Sequence, residues 1–157
     1  MTLKKCVQLF ICILIPLSIG ALGGIATSSS ISDWYLTLNR PSFNPPNYLF
    51  GPVWSFLYIL MGISFYMIWI APKTAKRTRA IFIFSIQLLL NFSWSFLFFY
   101  FHWIGIALIE IILIWLSIIW MIRAFGKLNK KAALLQIPYL LWVSFASLLN
   151  ASYWFLN

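Results

Sequence analysis

Residues Trp34–Trp54 read WYLTLNRPSFNPPNYLFGPVW and lie between two apolar runs, each long enough to cross a bilayer. A connection of that length in a compact membrane bundle normally carries a function. Its prolines, Pro41, Pro45, Pro46 and Pro52, fix φ and remove backbone donors, which discourages helix and sheet while keeping the chain stiff. Trp34, Tyr35, Phe43, Tyr48, Phe50 and Trp54 give that stiff segment flat, amphipathic surfaces suited to a membrane interface or a ligand. The stretch therefore reads as a lid.

The rest of the chain says what the lid covers. Of its 157 residues, 63% are hydrophobic, 20% aromatic and only 8% charged, too apolar for an ordinary soluble domain. Segments 6–26, 51–71, 80–101, 105–122 and 132–156 each meet the spanning criterion of about 18 or more mostly apolar residues. Glu110 is the one full charge inside them, and none shows the alternation of a barrel strand, so helices are expected. The expected fold is an all-α integral membrane protein: one five-helix bundle over residues 1–157, with a lid loop at 27–50.

A net charge of +9 invites a nucleic-acid reading, but the cations sit at alternate helix ends. Lys4 and Lys5 precede the first span; Lys73, Lys76, Arg77 and Arg79 separate the second from the third; Arg123, Lys127, Lys130 and Lys131 separate the fourth from the fifth. Ten of the eleven basic residues thus share one side. By the positive-inside rule the amino terminus is cytoplasmic, while the lid, the turn at His102 and Trp103, and the carboxyl end face outward. Short membrane-flanking loops offer no basic groove for phosphates, so no nucleic-acid partner is expected. Lys4 and Lys5 followed by an apolar run also fit a secretory signal, but the run exceeds the usual core of about 7–15 residues and reads as an uncleaved span. Cys6 and Cys12 share one helix, too far apart for a disulfide and at no metal spacing.

Helical periodicity points to an interior surface. On the third span, Gln87, Asn91, Trp94 and Phe98 fall within about 60° of one another. The fifth span aligns Trp142, Ala146, Leu149 and Tyr153, with Asn150 at the edge, and the second aligns Trp54, Tyr58, Met61 and Phe65. These stripes serve either as core packing with interhelical amide bonds or as walls of a cavity for a flat apolar ligand, with Ala146 leaving space. Gly20 and Gly24 form a G-x-x-x-G pair that allows close helix packing, within the chain or between two copies. Glu110 shares a stripe with Ile114, Ser117 and Met121; it is either an interfacial hydrogen-bonding group or a functional acid. His102 reads as an interface histidine, with haem ligation as the alternative. Asp33 and Glu110 are the only acids, and there is no H-E-x-x-H, no G-x-S-x-G and no phosphate-binding glycine loop, so no catalytic residue and no metal site is expected.

At these residues the chain resembles the TspO/MBR family, the tryptophan-rich sensory proteins that include the mitochondrial translocator protein, once called the peripheral benzodiazepine receptor. The resemblance rests on Trp34, Tyr35, Leu38, Pro41, Pro45, Pro46, Phe50, Pro52, Val53 and Trp54, continuing into Leu57, Tyr58, Met61 and Gly62. Two further blocks agree: LLNFSWSFLFF around Asn91 and Trp94, and PYLLWVSFASLLN from Pro138 to Asn150. It implies a bundle that commonly dimerises and binds porphyrins, haem-related tetrapyrroles such as protoporphyrin IX and synthetic aromatic ligands beneath the first loop. Carried over by position, the ligand-binding residues are Tyr35, Pro45, Trp54, Tyr58, Asn91, Trp94, Trp142 and Ala146. The tetrapyrrole enters as ligand, not as obligatory cofactor, and membrane lipid and a second copy are the implied partners. In some bacterial relatives the tryptophans matching Trp54 and Trp142 are implicated in light-dependent porphyrin breakdown, which gives an enzymatic alternative to a sensory, regulatory or transport role. A membrane scaffold working through Gly20, Gly24 and the basic loops is a third. The animal members' sterol motif needs a basic residue after a tyrosine, whereas Tyr153 is followed by Trp154, Phe155, Leu156 and Asn157.

Overall fold

The computed structural model describes residues 2–157, apart from the side chain of Ser29. Five spans are present among them. They are α1 (Leu3–Ile31), α3 (Asn47–Trp69), α4 (Ala75–Ser95) continuing through a π-helical turn at Phe96–Tyr100, α5 (Ile104–Gly126), and a fifth split into α6 (Lys130–Leu134) and α7 (Ile137–Leu156). A single turn of helix, α2 (Trp34–Thr37), lies in the lid. Leu89, Ile109, Leu141 and Leu148 are largely exposed, and this outward apolar surface is what faces lipid.

Helix bounds depart from the sequence expectation for physical reasons. The expected lid at 27–50 loses both ends to helix. On one side Thr27 Oγ1 and Ser28 Oγ donate back to the Gly23 and Ile25 carbonyls, so the polar TSSS run extends α1 instead of ending it. On the other, α3 starts at Asn47, and Pro52 sits inside its second turn. Its missing donor forfeits one bond near the helix start, where the chain tolerates the loss better than in mid-helix. Upstream, α4 begins at Ala75 because Thr74 Oγ1 caps it, accepting from the Arg77 amide at 3.3 Å. Arg77 then turns back onto α3, donating through Nη2 to the Trp69 carbonyl at 2.7 Å and lying over the Trp69 ring. The fifth span breaks at Leu135–Gln136, ahead of Pro138. Asn129 starts its first piece by accepting from the Lys131 and Ala132 amides.

Three close approaches set the helix packing. A Cβ at Gly62 would stand 2.4 Å from the Ile13 Cα and 2.8 Å from the Cys12 carbonyl oxygen, so α1 and α3 cross backbone to backbone there. That carbonyl lacks its helical donor because Pro16 follows four residues on. One turn further along the crossing, Gly20 lies against the Tyr58 ring, where a Cβ would be 2.2 Å from a ring carbon. Gly23 likewise faces Ser95 of α4. Gly20 and Gly23 of α1 are thus spent on packing within the chain, whereas a Cβ at Gly24 would meet nothing within 4 Å. Below this level the bundle is solid: Met61, Ile68, Phe84, Ile118, Met121 and Phe125 are fully buried, and Phe65 stacks on Phe84 with centroids 4.2 Å apart.

At the boundary of this solid half, one hydrogen-bonded cluster joins three helices. The Tyr58 hydroxyl of α3 donates to Asn91 Oδ1 of α4 at 2.6 Å, and Asn91 Nδ2 donates to the Tyr139 hydroxyl of α7 at 2.9 Å. Gln87 Nε2, one turn from Asn91, donates to the same hydroxyl. Tyr139 and Gln87 are fully buried. Away from water, each unmade bond costs the desolvation of its group, so the cluster holds α7 in register with α3 and α4.

Gly62→Ala is expected to destabilise the protein by about 2 kcal/mol or more, since both clashing atoms are backbone; Gly51→Ala, whose Cβ would meet open space, serves as the control. Thermal unfolding in detergent micelles reads both. Tyr139→Phe leaves two buried amide donors without an acceptor and is expected to cost about 1–3 kcal/mol in the same assay.

Candidate functional site

Above the Tyr58–Asn91–Tyr139 cluster the helices part. α7 packs its backbone extensively on α5, but makes no comparable approach to α1 or α3, and the lid bridges the gap. The space left is a cavity of about 730 Å³, walled by α1, α3, α4 and α7. Tyr35, Trp54, Tyr58, Asn91, Trp94, Trp142 and Ala146 all line it, so seven of the eight sequence-expected binding residues meet at one place. Pro45 does not. It sits half-buried in the lid turn, its carbonyl accepting from Asn44 Nδ2, while Asn47 and Phe50 cover the cavity on that side.

Aromatic rings dominate the walls. Trp54 lies over Tyr58 with centroids 5.6 Å apart and meets the Tyr139 ring edge-on at 6.1 Å. Across the cavity Trp142 is held between Phe50, 6.0 Å away, and Phe145, 5.6 Å away. Trp94 stacks on Phe98 at 5.3 Å, and its indole N–H donates to Asn150 Oδ1 at 3.1 Å. Asn150 in turn donates to the Ile104 carbonyl, so its amide anchors the α4 wall to α5. The polar groups are therefore largely committed to one another. Asn91 holds Tyr58 and Tyr139, whereas the buried indole N–H of Trp142 has no partner among the described residues.

Two parts of the site escaped the sequence reading. One is the whole α1 wall: Leu17, Gly20, Ala21, Gly24, Thr27, Ser28 and Ile31 share a helical face, legible as a stripe of small residues. The other is the π-helical turn, in which the Phe101 amide bonds to the Phe96 carbonyl five residues back, at 2.9 Å. The extra residue per turn brings Phe99 to the cavity beside Phe98. Ser30 of α1 fixes that turn by donating to the Phe99 carbonyl at 2.5 Å. The segment ends at His102, whose φ of 58° places it in the left-handed region.

His102 stacks on Trp34 at 4.0 Å and Glu110 accepts from Ser93 between α4 and α5; neither lines the cavity. Glu110, Ile114, Ser117 and Met121 are all buried, so their stripe faces the interior.

The lid is fastened at two levels. The Tyr153 hydroxyl lies 2.8 Å from that of Tyr35 and 3.1 Å from Asn44 Oδ1. Further out, the Asn39 amide donates to Asn157 Oδ1 at 2.8 Å, Asn39 Nδ2 donates to the Leu156 carbonyl, and Asn157 Nδ2 donates to the Asn39 carbonyl. The open side of the cavity lies elsewhere. Its exposed lining residues are Ala21, Gly24 and Ser28 of α1 and Gly51 and Ser55 of α3, so the mouth is in the flank of the bundle, between those helices.

Comparison with known proteins agrees with this architecture. The chain is 39% identical over 151 residues to a "Tryptophan-rich protein TspO" of Chlorobaculum tepidum, covering 94% of each chain. It is 40% identical over 145 residues to another of that name from Archaeoglobus fulgidus, covering 92% of this chain and 94% of the relative. With the "Translocator protein" of Bos taurus it shares 33% identity over 143 residues, 90% of this chain and 85% of the relative. The sequence profile of the TspO/MBR family matches residues 12–155, and the chain belongs to that family.

Proposed function

We propose that the cavity binds a planar aromatic macrocycle of the tetrapyrrole class, and that the protein serves a membrane sensor or receptor role through that ligand. The observation that carries this reading is the composition of the walls. Trp54, Trp94 and Trp142 approach one space from three helices, and none of the described residues that line it is charged. Its volume of about 730 Å³ falls within the range of about 300–1,000 Å³ typical of small-molecule sites. Indole faces favour offset stacking on a flat conjugated ring, and the small side chain of Ala146 leaves the macrocycle its thickness.

The TspO and translocator names of the relatives are consistent with a ligand-linked membrane role. We place the protein in the cell membrane with the lid outward, because helix alternation sets ten basic residues at the opposite end. A homodimer, if formed, uses a face other than Gly20 and Gly23, which are occupied within the chain.

Protein reconstituted in lipid nanodiscs is expected to bind protoporphyrin IX saturably, read as tryptophan quenching. Replacing Ala146 by Phe should weaken binding tenfold or more, and Trp54→Phe or Trp142→Phe each about 2–10-fold, the worth of a lost aromatic contact. Saturation unchanged in the combined variant would overturn the pocket. Gly24→Leu tests the mouth: a Cβ there meets nothing within 4 Å and leucine is the better helix former, so melting should not fall, while stopped-flow association should slow.

A further inference from the structure

Ten of the eleven basic residues gather at the end of the bundle opposite the lid, and neither acid of the chain is there to pair with them. Asp33 precedes α2 in the lid, and Glu110 is buried against Ser93 in the second turn of α5, near the lid end. The cations differ in what their heads touch. Arg77 is spent inside the chain, donating to the Ile68 and Trp69 carbonyls. Arg79, exposed two residues further on, stands over the Trp120 ring of α5 with its guanidinium carbon 5.8 Å from the ring centre, and donates to none of the described residues. Arg123 follows Trp120 by one turn of α5, is exposed as well, and has no hydrogen-bond or ion-pair partner among the described residues.

α4 and α5 are consecutive spans that pack closely on one another, so the Arg79–Trp120 contact puts both arginines on one outer surface. Helical spacing extends that surface toward the middle of the bilayer. Phe82 lies one turn deeper than Arg79 on α4, and Leu116 and Leu113 lie one and two turns deeper than Trp120 on α5. Phe82, Leu113, Leu116 and Trp120 are all exposed, which in this fold means exposed to lipid. Two guanidinium forks therefore head an apolar track, with an indole between them at the depth where tryptophan marks the membrane interface. Guanidinium forks match phosphate oxygens, and an anion is required because the chain supplies no countercharge at this end. A soluble phosphate would use the arginines alone, whereas a phospholipid uses the track as well. We infer that Arg79, Trp120 and Arg123 form a headgroup site for an anionic phospholipid whose acyl chain lies along Phe82, Leu116 and Leu113. The site is separate from the cavity and independent of what the cavity binds.

The test reads Trp120 as reporter in nanodiscs that mix phosphatidylglycerol with phosphatidylcholine, one of the two carrying brominated acyl chains. Quenching at the site is the part of the fluorescence loss that disappears in Trp120→Phe. Each cation near an anionic membrane surface favours it by about fivefold, so wild type should prefer phosphatidylglycerol at Trp120 by about fivefold or more. Replacing both Arg79 and Arg123 by Gln should bring that preference close to parity. Replacing both Lys4 and Lys5 by Gln removes the same charge from α1 at the same end and should leave it nearly unchanged. All four residues are exposed, so melting temperatures should hold in both double variants. No preference in wild type, or equal losses in the two double variants, would overturn the site, the second outcome showing diffuse surface attraction instead. Displacement of the brominated phosphatidylglycerol by soluble glycerol phosphate would overturn the lipid as occupant in favour of a free phosphate.

Discussion

The arrangement depends on where α7 is held and where it is not. At its start, Tyr139 is gripped by amides of Gln87 and Asn91, and through Asn91 by the hydroxyl of Tyr58. At its end, Tyr153 and Asn157 are fastened to the lid. Between those points its backbone leans on α5 and stays clear of α1 and α3. In a bilayer apolar surface gains little from leaving lipid, so such a gap persists unless specific contacts close it. Between those two levels the hydrogen bonds of α7 run to α4 and α5, through Asn150 with Trp94 and Ile104 and through Ser144 with Trp115, so the side toward α1 and α3 stays open.

The same division explains the aromatic stripes. Read as a single face, Trp54, Tyr58, Met61 and Phe65 suggest either a core or a cavity wall. They are both in succession: Met61 and Phe65 belong to the solid half with Phe84 and Ile68, whereas Trp54 and Tyr58 border open space. The boundary falls at the level where Gly20 meets the Tyr58 ring.

The spans and the seven expected residues that meet at the cavity were legible in the sequence, because span length and 3.6-residue periodicity are local properties. What was not legible depends on distant partners. Thr27 and Ser28 extend α1 by bonding to their own helix, a choice the composition of the TSSS run does not reveal. The π-helical turn depends on Ser30, far away in sequence, taking the Phe99 carbonyl. Gly20 and Gly24 announce a close approach without saying to what; one receives a tyrosine ring and the other borders the mouth. Pro45 matched the family's ligand-binding pattern by position, yet the lid turn leaves Asn47 and Phe50 to cover the cavity.

The mouth in the flank of the bundle, between Ala21, Gly24 and Ser28 on one side and Gly51 and Ser55 on the other, changes what an affinity means for this protein. A ligand of the kind proposed that entered through it would come from lipid, not from water, and its occupancy would follow its mole fraction in the bilayer. Partitioning, an equilibrium the protein does not control, then multiplies every dissociation constant quoted per volume of buffer. Two compounds with identical contacts inside the cavity would differ in apparent potency by the ratio of their partition coefficients. Doubling the lipid at fixed protein would weaken both.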